Sequence, residues 1–280
     1  MLEQELYQIP LIDTHVHRVH PNRAPQWGNL GGGYIQGPGQ EAFGRQTILY
    51  GMVMEALRKK FEMDENASME QIEQERFRRY QEDPQKYYTW LLSDCNVAMH
   101  CLEIGSPIGG PAYSEKEKNE FNASIPPEKR ANIVRLDRIL DDLLSQDQDF
   151  SMLCSRYKEE LCNQISEEQA IGLKSCMAYN GGLDIWLPEK SEAEKAYERI
   201  RGGQAGPGDE KCLRSFMLLE SMDIAAEKDL PVQFHTGAGG GSWIDFKTLD
   251  PIHMVDFLWD KRVFNLSLIH ISEPTRPISI

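Results

Sequence analysis

The feature that most constrains this chain is an alternation of short apolar stretches with segments of helical periodicity. After a first strand around residues 9–17 come NVAMHCLEI (96–104), ANIVRL (131–136), AIGLKSCMA (170–178) and PVQFH (231–235). Between and after them, helices are expected at 137–146, 150–165, 189–201, 209–228 and, capped by Asp250-Pro251, at 251–259. Repeated strand–helix units of this kind specify a parallel sheet, either a barrel or a doubly wound sheet. There is no internal sequence repeat and no low-complexity tract.

One segment interrupts the alternation. Residues 46–61 carry Leu49, Met52, Val53, Ala56, Leu57 and Phe61 at helical spacing, Ser68 with Gln71 forms a capping box, and Asp83-Pro84 opens a third helix toward Leu92. This helical insertion, about 46–93, follows the first strand directly, where active-site lids belong, so it is expected to form a cap packed over or beside the barrel mouth. The glycine-rich GNLGGGYIQGPGQ before it lacks a following Gly-Lys-Ser/Thr and reads as a rim loop rather than a phosphate loop. Trp27, Tyr34 and Arg45 are candidate substrate contacts there.

Charge and composition narrow the partners. Thirty basic against forty-four acidic residues give a net charge of -14 over 280 residues, which argues against nucleic acid and against anionic membrane surfaces and leaves a small-molecule substrate. No apolar run approaches the ~18 residues of a membrane span, and MLEQELYQIP lacks the regions of a secretory signal, so a cytoplasmic setting is expected. The six cysteines contain no CxxC pair, and reduced thiols are expected.

Three strands end in polar residues that could do chemistry. In LIDTHVHRVH (11–20), strand alternation puts Asp13, His15 and His17 on one face, with the two histidine Cα atoms about 6.5 Å apart, close enough for both rings to bind one metal ion. A hydrogen-bonded histidine pair at a strand end fits the same stretch. The other two are Lys174 and His235, the latter leading into TGAGGGS. Period-two counting groups Gln233 with His235, and Gly172 with Lys174 and Cys176. In a parallel barrel these C-terminal strand ends share one mouth. Taken singly, His235 reads equally as a loop-capping histidine and Lys174 as a solvated lysine. His100 reads as a satisfied core histidine, and His20 and His253 as surface residues.

With IDTHVH at the first strand, IGLKSCMAYNGGLDI at the fourth and LPVQFHTGAGG at the fifth, residues 8–264 resemble the amidohydrolase superfamily. They most resemble its amidohydrolase-2 branch of TIM-barrel metal-dependent hydrolases, similar to the N-terminal domain of FluG-type proteins. The resemblance implies that His15, His17 and His235 bind one or two divalent metal ions, zinc or a similar ion, with Lys174 a bridge between ions or a substrate contact. It implies hydrolysis of a small C–N or C–O bonded substrate by metal-activated water, with an aspartate after strand eight as general base. Asn180 stands where the resemblance leads one to expect arginine. A metal-dependent decarboxylase of the same branch is the nearest alternative, and a non-catalytic binding or regulatory barrel is an alternative of another class.

The C-terminal stretch departs further. LSLIHISEPTR (266–276) resembles the translation of a transposase adaptor from a sequencing library. Three more strand–helix units at about 30 residues each would need roughly 90 residues, where about twenty remain after 260. The expected architecture is therefore α/β: a TIM (β/α)8-type barrel over 1–265, truncated after strand five or six, with a non-native tail at 266–280. His270 resembles a strand-six ligand by accident on this reading. The chain as written is expected to be neither a stable closed barrel nor active, and a homo-oligomer is left open for an intact form.

Overall fold

The computed structural model describes residues 8–17, 44–93, 96–105, 113–237, 245–264 and 266, and the backbone of 268–272. Six strands form one sheet in chain order: β1 (Leu11–His17), β2 (Val97–Glu103), β3 (Arg130–Arg135), β4 (Gly172–Ser175), β5 (Val232–Thr236) and β6 (Leu268–Ser272). Every neighbouring pair is parallel. The helices between them are α1 (Ile48–Lys60), α2 (Met69–Glu82), α3 (Pro84–Ser93), α4 (Glu115–Asn122), α5 (Leu136–Leu144), α6 (Phe150–Glu167), α7 (Met177–Asn180), α8 (Lys190–Arg201), α9 (Asp209–Glu227) and α10 (Val255–Leu258).

The sheet is curled. Flat, β1 and β5 would stand about 19 Å apart at ~4.8 Å per strand, beyond the reach of any side chain. Instead the Gln233 amide on β5 donates to the Thr14 carbonyl of β1 at 2.8 Å. Curling puts alternate residues of each strand inside: His15, Lys174, Gln233 and His235 face inward, while Val134, Leu173, Val232 and Phe234 face outward and are fully buried under helices. Leu153 and Leu161 of α6 and Leu213, Leu219 and Met222 of α9 complete that outer core. The expected α/β barrel-type fold is what forms, and its strand order runs from β1 at one edge to β6 at the other without joining them.

Local signals set most boundaries. Ser68 and Gln71 form the capping box expected at the start of α2, and Asp149 caps α6 through the Met152 N–H at 2.7 Å. Sequence periodicity did not mark α4, whose EKEKNEFN has one apolar residue, the buried Phe121, although the Ser114–Glu117 capping box before it is the signal that places it. The expected helix 251–259 divides into a 3-10 turn, Pro251–Met254, and the single turn α10. The expected strand 170–178 stops at Ser175, because the Cys176 N–H is taken by Asp137 Oδ2 at 2.6 Å and the chain turns into α7.

Helices α1 to α3 build a core of their own from Tyr50, Met54, Leu57, Phe61, Ile72, Tyr80 and Tyr87. Leu92 of α3 packs, with Val16 of β1, against the cluster of Leu102, Phe121 and Ile125, and Gln85 donates to the Ala123 carbonyl at 3.3 Å. α3 ends four residues before β2 begins. His20, Trp27, Tyr34 and the glycine-rich loop lie outside the described residues.

Candidate active site

At the C-terminal ends of β1 to β5 the inward-facing polar residues meet. His15 and His17 share a face as strand alternation requires, with their Nε2 atoms 3.1 Å apart and ring centroids 4.9 Å apart. His17 Nδ1 lies 3.1 Å from Glu103 Oε2 on β2, its register partner. A carboxylate cannot donate, so the proton sits on His17 Nδ1 and a neutral ring then presents a lone pair at Nε2.

Glu103 is buried and held on three sides. Arg135 of β3 donates through Nη1 at 3.4 Å, and the Gly105 N–H donates to Oε1 at 2.5 Å. Burial by itself would raise this carboxyl. The His17 hydrogen bond, the Arg135 charge and the Gly105 N–H outweigh it and hold the group below the usual carboxylate range. Glycine is required at 105, since a Cβ there would sit 2.6 Å from Arg135 Cδ and closer still to Glu103. Arg135 also donates through Nη2 to Cys176 Sγ at 3.0 Å. Burial first, then Asp137, pushes that thiol up to about 12, so it stays protonated.

Lys174 is completely buried on β4, in register with Arg135 on one side and Gln233 on the other. Its charge reaches both His15 and His235. Burial first and Lys174 second push His15 down to about 3, and the same two causes push His235 to about 3. Both rings are therefore neutral at physiological pH, the form that carries a lone pair for a ligand. His235 stacks at 4.2 Å on Tyr179 of α7.

The donor set fits a divalent ion in part. An ion at ~2.05 Å from each of two nitrogens 3.1 Å apart subtends about 100°, between octahedral and tetrahedral angles. A hydrogen bond between two neutral rings satisfies the same distance with His15 Nε2 protonated. His235 lies within electrostatic reach of the pair, yet among the described residues no three His, Cys, Asp or Glu side chains are grouped to hold one ion. The structure thus assembles His15 with His17 and brings Lys174 and His235 to the same end of the sheet without closing a three-histidine cluster.

Other expectations resolve individually. Sequence reasoning missed Glu103 and Arg135, which lie at strand ends as Lys174 does, a position that solvated charges share. Cys176 leaves the face of Lys174 because the strand ends before it. Asn180 donates to Asp137 Oδ1 at 3.2 Å, a loop-holding role. His100 is buried, but its Nδ1 has no hydrogen-bond partner among the described residues, so it is a core histidine only partly satisfied. His253 is exposed, with Nε2 2.8 Å from the Lys247 carbonyl. The β6 register sets His270 opposite Phe234 and Ile271 opposite His235. Among the described residues no helix is long and apolar enough to cross a membrane.

A curled parallel sheet with helices between its strands, and with imidazoles, a lysine and a paired carboxylate gathered at its C-terminal strand ends, has a TIM-barrel-like α/β architecture. In particular, it resembles a Lactobacillus casei ATCC 334 protein assigned to the metal-dependent hydrolases, with TM-score 0.73 and 20% identity over 96% of this chain and 69% of that one. It also resembles a uronate isomerase from Thermotoga maritima, with TM-score 0.58 and 14% identity over 88% of this chain and 58% of that one. At these identities the likeness is one of fold. No protein family and no curated protein matches the sequence.

Proposed function

We propose that this chain is a metal-dependent hydrolase acting on a small C–N or C–O bonded substrate, with His15, His17 and His235 as ligands to a divalent ion such as zinc. The observation that carries the reading is the His15–His17 pair, whose Nε2 atoms lie 3.1 Å apart while Glu103 fixes the far nitrogen of His17. When bound, a divalent ion supplies Lewis acidity, polarising a carbonyl and making water nucleophilic near neutral pH. The protein's own groups do the rest. Glu103 orients His17, burial keeps His15 and His235 unprotonated, and the buried Lys174 ammonium offers a positive charge to a substrate carboxylate or to oxygen gaining negative charge.

Elemental analysis of protein grown with zinc tests the assignment. Near-stoichiometric metal is expected in the wild type and loss of most of it in H15A/H17A; undiminished metal in the double variant would sink the ligand assignment. A panel of amides, esters and lactones assayed in 18O-water then reads the reaction. Label in the product marks hydrolysis, whereas release of CO2 without label, or a product isomeric with its substrate, overturns it.

A further inference from the structure

Two separate parts of the candidate site lead back to one guanidinium. On one side, Arg135 Nη1 donates to Glu103 Oε2, the same oxygen that meets His17 Nδ1. On the other, Arg135 Nη2 donates to Cys176 Sγ at 3.0 Å, and the Cys176 carbonyl accepts from the Tyr179 N–H at 2.9 Å. Tyr179 in turn lies against the His235 ring, with centroids 4.2 Å apart and planes tilted by 35°. The path from β1 and the path from β5 therefore meet on β3. Asp137 clamps the Cys176 N–H as well, so the one-turn helix α7 is held from both sides.

We propose that Arg135 is the positioning residue of this site, one fork that sets both the orientation of His17, through Glu103, and the seat of His235, through Cys176 and Tyr179. The proposal rests on the ligand roles given above to His17 and His235. Arginine suits the task because its donors leave a rigid plane in two directions, so one side chain serves acceptors from the strand ends on either side of its own. The close approach of Gly105 to both Glu103 and Arg135 leaves the fork little room to take another pose. Neither acceptor needs Arg135 merely for solubility, since Glu103, Arg135 and Cys176 are all buried. A buried ion pair that only held strands together would have no reason to reach the thiol of the next loop.

Nuclear magnetic resonance of the whole chain, with and without zinc, separates the two arms. Long-range 15N–1H correlations of His17 report which ring nitrogen carries the proton, and the ring-proton shifts of His235 report the Tyr179 stack. Glu103→Gln is expected to move the His17 signals alone and Tyr179→Leu the His235 signals alone. Arg135→Met should move both sets, and Arg135→Lys, a point charge in place of a fork, should restore one set at most. Zinc affinity by chelator competition should fall about 10- to 100-fold in Arg135→Met, the usual effect of losing outer support for a ligand. An Arg135→Met protein that melts cooperatively and moves only one set, or neither, overturns the proposal. If Arg135→Met does not fold, Cys176→Ala decides, because it removes the thiol acceptor and leaves the ion pair: the His235 set must move and the His17 set must stay. Retention of zinc by H15A/H17A with both sets still moved by Arg135→Met would remove the metal reading and leave the positioning role standing.

Discussion

His235 is 3% exposed and carries no charge at neutral pH, which makes its protonation a cost to the fold. An unfolded chain titrates this ring near 6.5, whereas burial and Lys174 hold it near 3 in the folded protein. Between those values the unfolded state binds a proton that the folded state does not. Stability should therefore fall as pH drops below about 6.5, with a slope of up to about 1.4 kcal/mol per pH unit for such a ring, and His15 adds in the same direction. Urea unfolding of metal-free protein between pH 7.5 and 4.5 measures this, and His235→Gln should flatten the curve. Parallel curves for the two proteins would mean that the ring is not held neutral. Gly105 supplies a second residue-scale outcome. Gly105→Ala should push Glu103 and Arg135 apart and cost about 1–3 kcal/mol by thermal melting, with metal content reduced alongside; a melt within error of wild type would show that the cradle is loose. At this scale the sequence showed the four polar strand ends His15, His17, Lys174 and His235. It did not single out Glu103 or Arg135, because a charged residue that ends a strand looks the same whether it is solvated or paired with the neighbouring strand.

Helix α6 illustrates how an element is fixed here. Its capped start and its stripe of Leu153, Tyr157, Leu161 and Ile165 lay one face on the outward side of the sheet, with the Tyr157 hydroxyl paired to Ser221 Oγ at 2.8 Å. Leu161→Ala should cost about 2–5 kcal/mol, since it empties a fully buried site, while Met152→Ala on the exposed face of the same helix should stay within about 0.5 kcal/mol. Equal effects in denaturant titrations would contradict this packing. Capping residues and apolar stripes made such helices legible from sequence. The break of β4 into α7 was not legible, because it depends on Asp137, thirty-nine residues earlier, capturing the Cys176 N–H.

Among the described residues of the molecule the sheet has two edges, and β1 bears apolar side chains at one of them. Ile12 is 63% exposed and Leu11 55%. Unpaired strand edges with apolar faces favour association with further strands. Ile12→Lys should lower concentration-dependent self-association in sedimentation velocity, leaving the melting temperature within a few degrees; unchanged association would place the contact elsewhere.

Sequence by itself determined the parallel α/β class, the inward and outward sides of β1, β4 and β5, the helical insertion and the histidine pair. All of these follow from periodicity and capping, which act over a few residues. Tertiary structure alone decided the rest. Curling of the sheet brought β5 to β1, register set His17 against Glu103 and Lys174 against Arg135, and the turn after β4 carried Tyr179 onto His235. These contacts join residues dozens to hundreds of positions apart, and no local propensity encodes a hydrogen bond whose partner is chosen by how strands align.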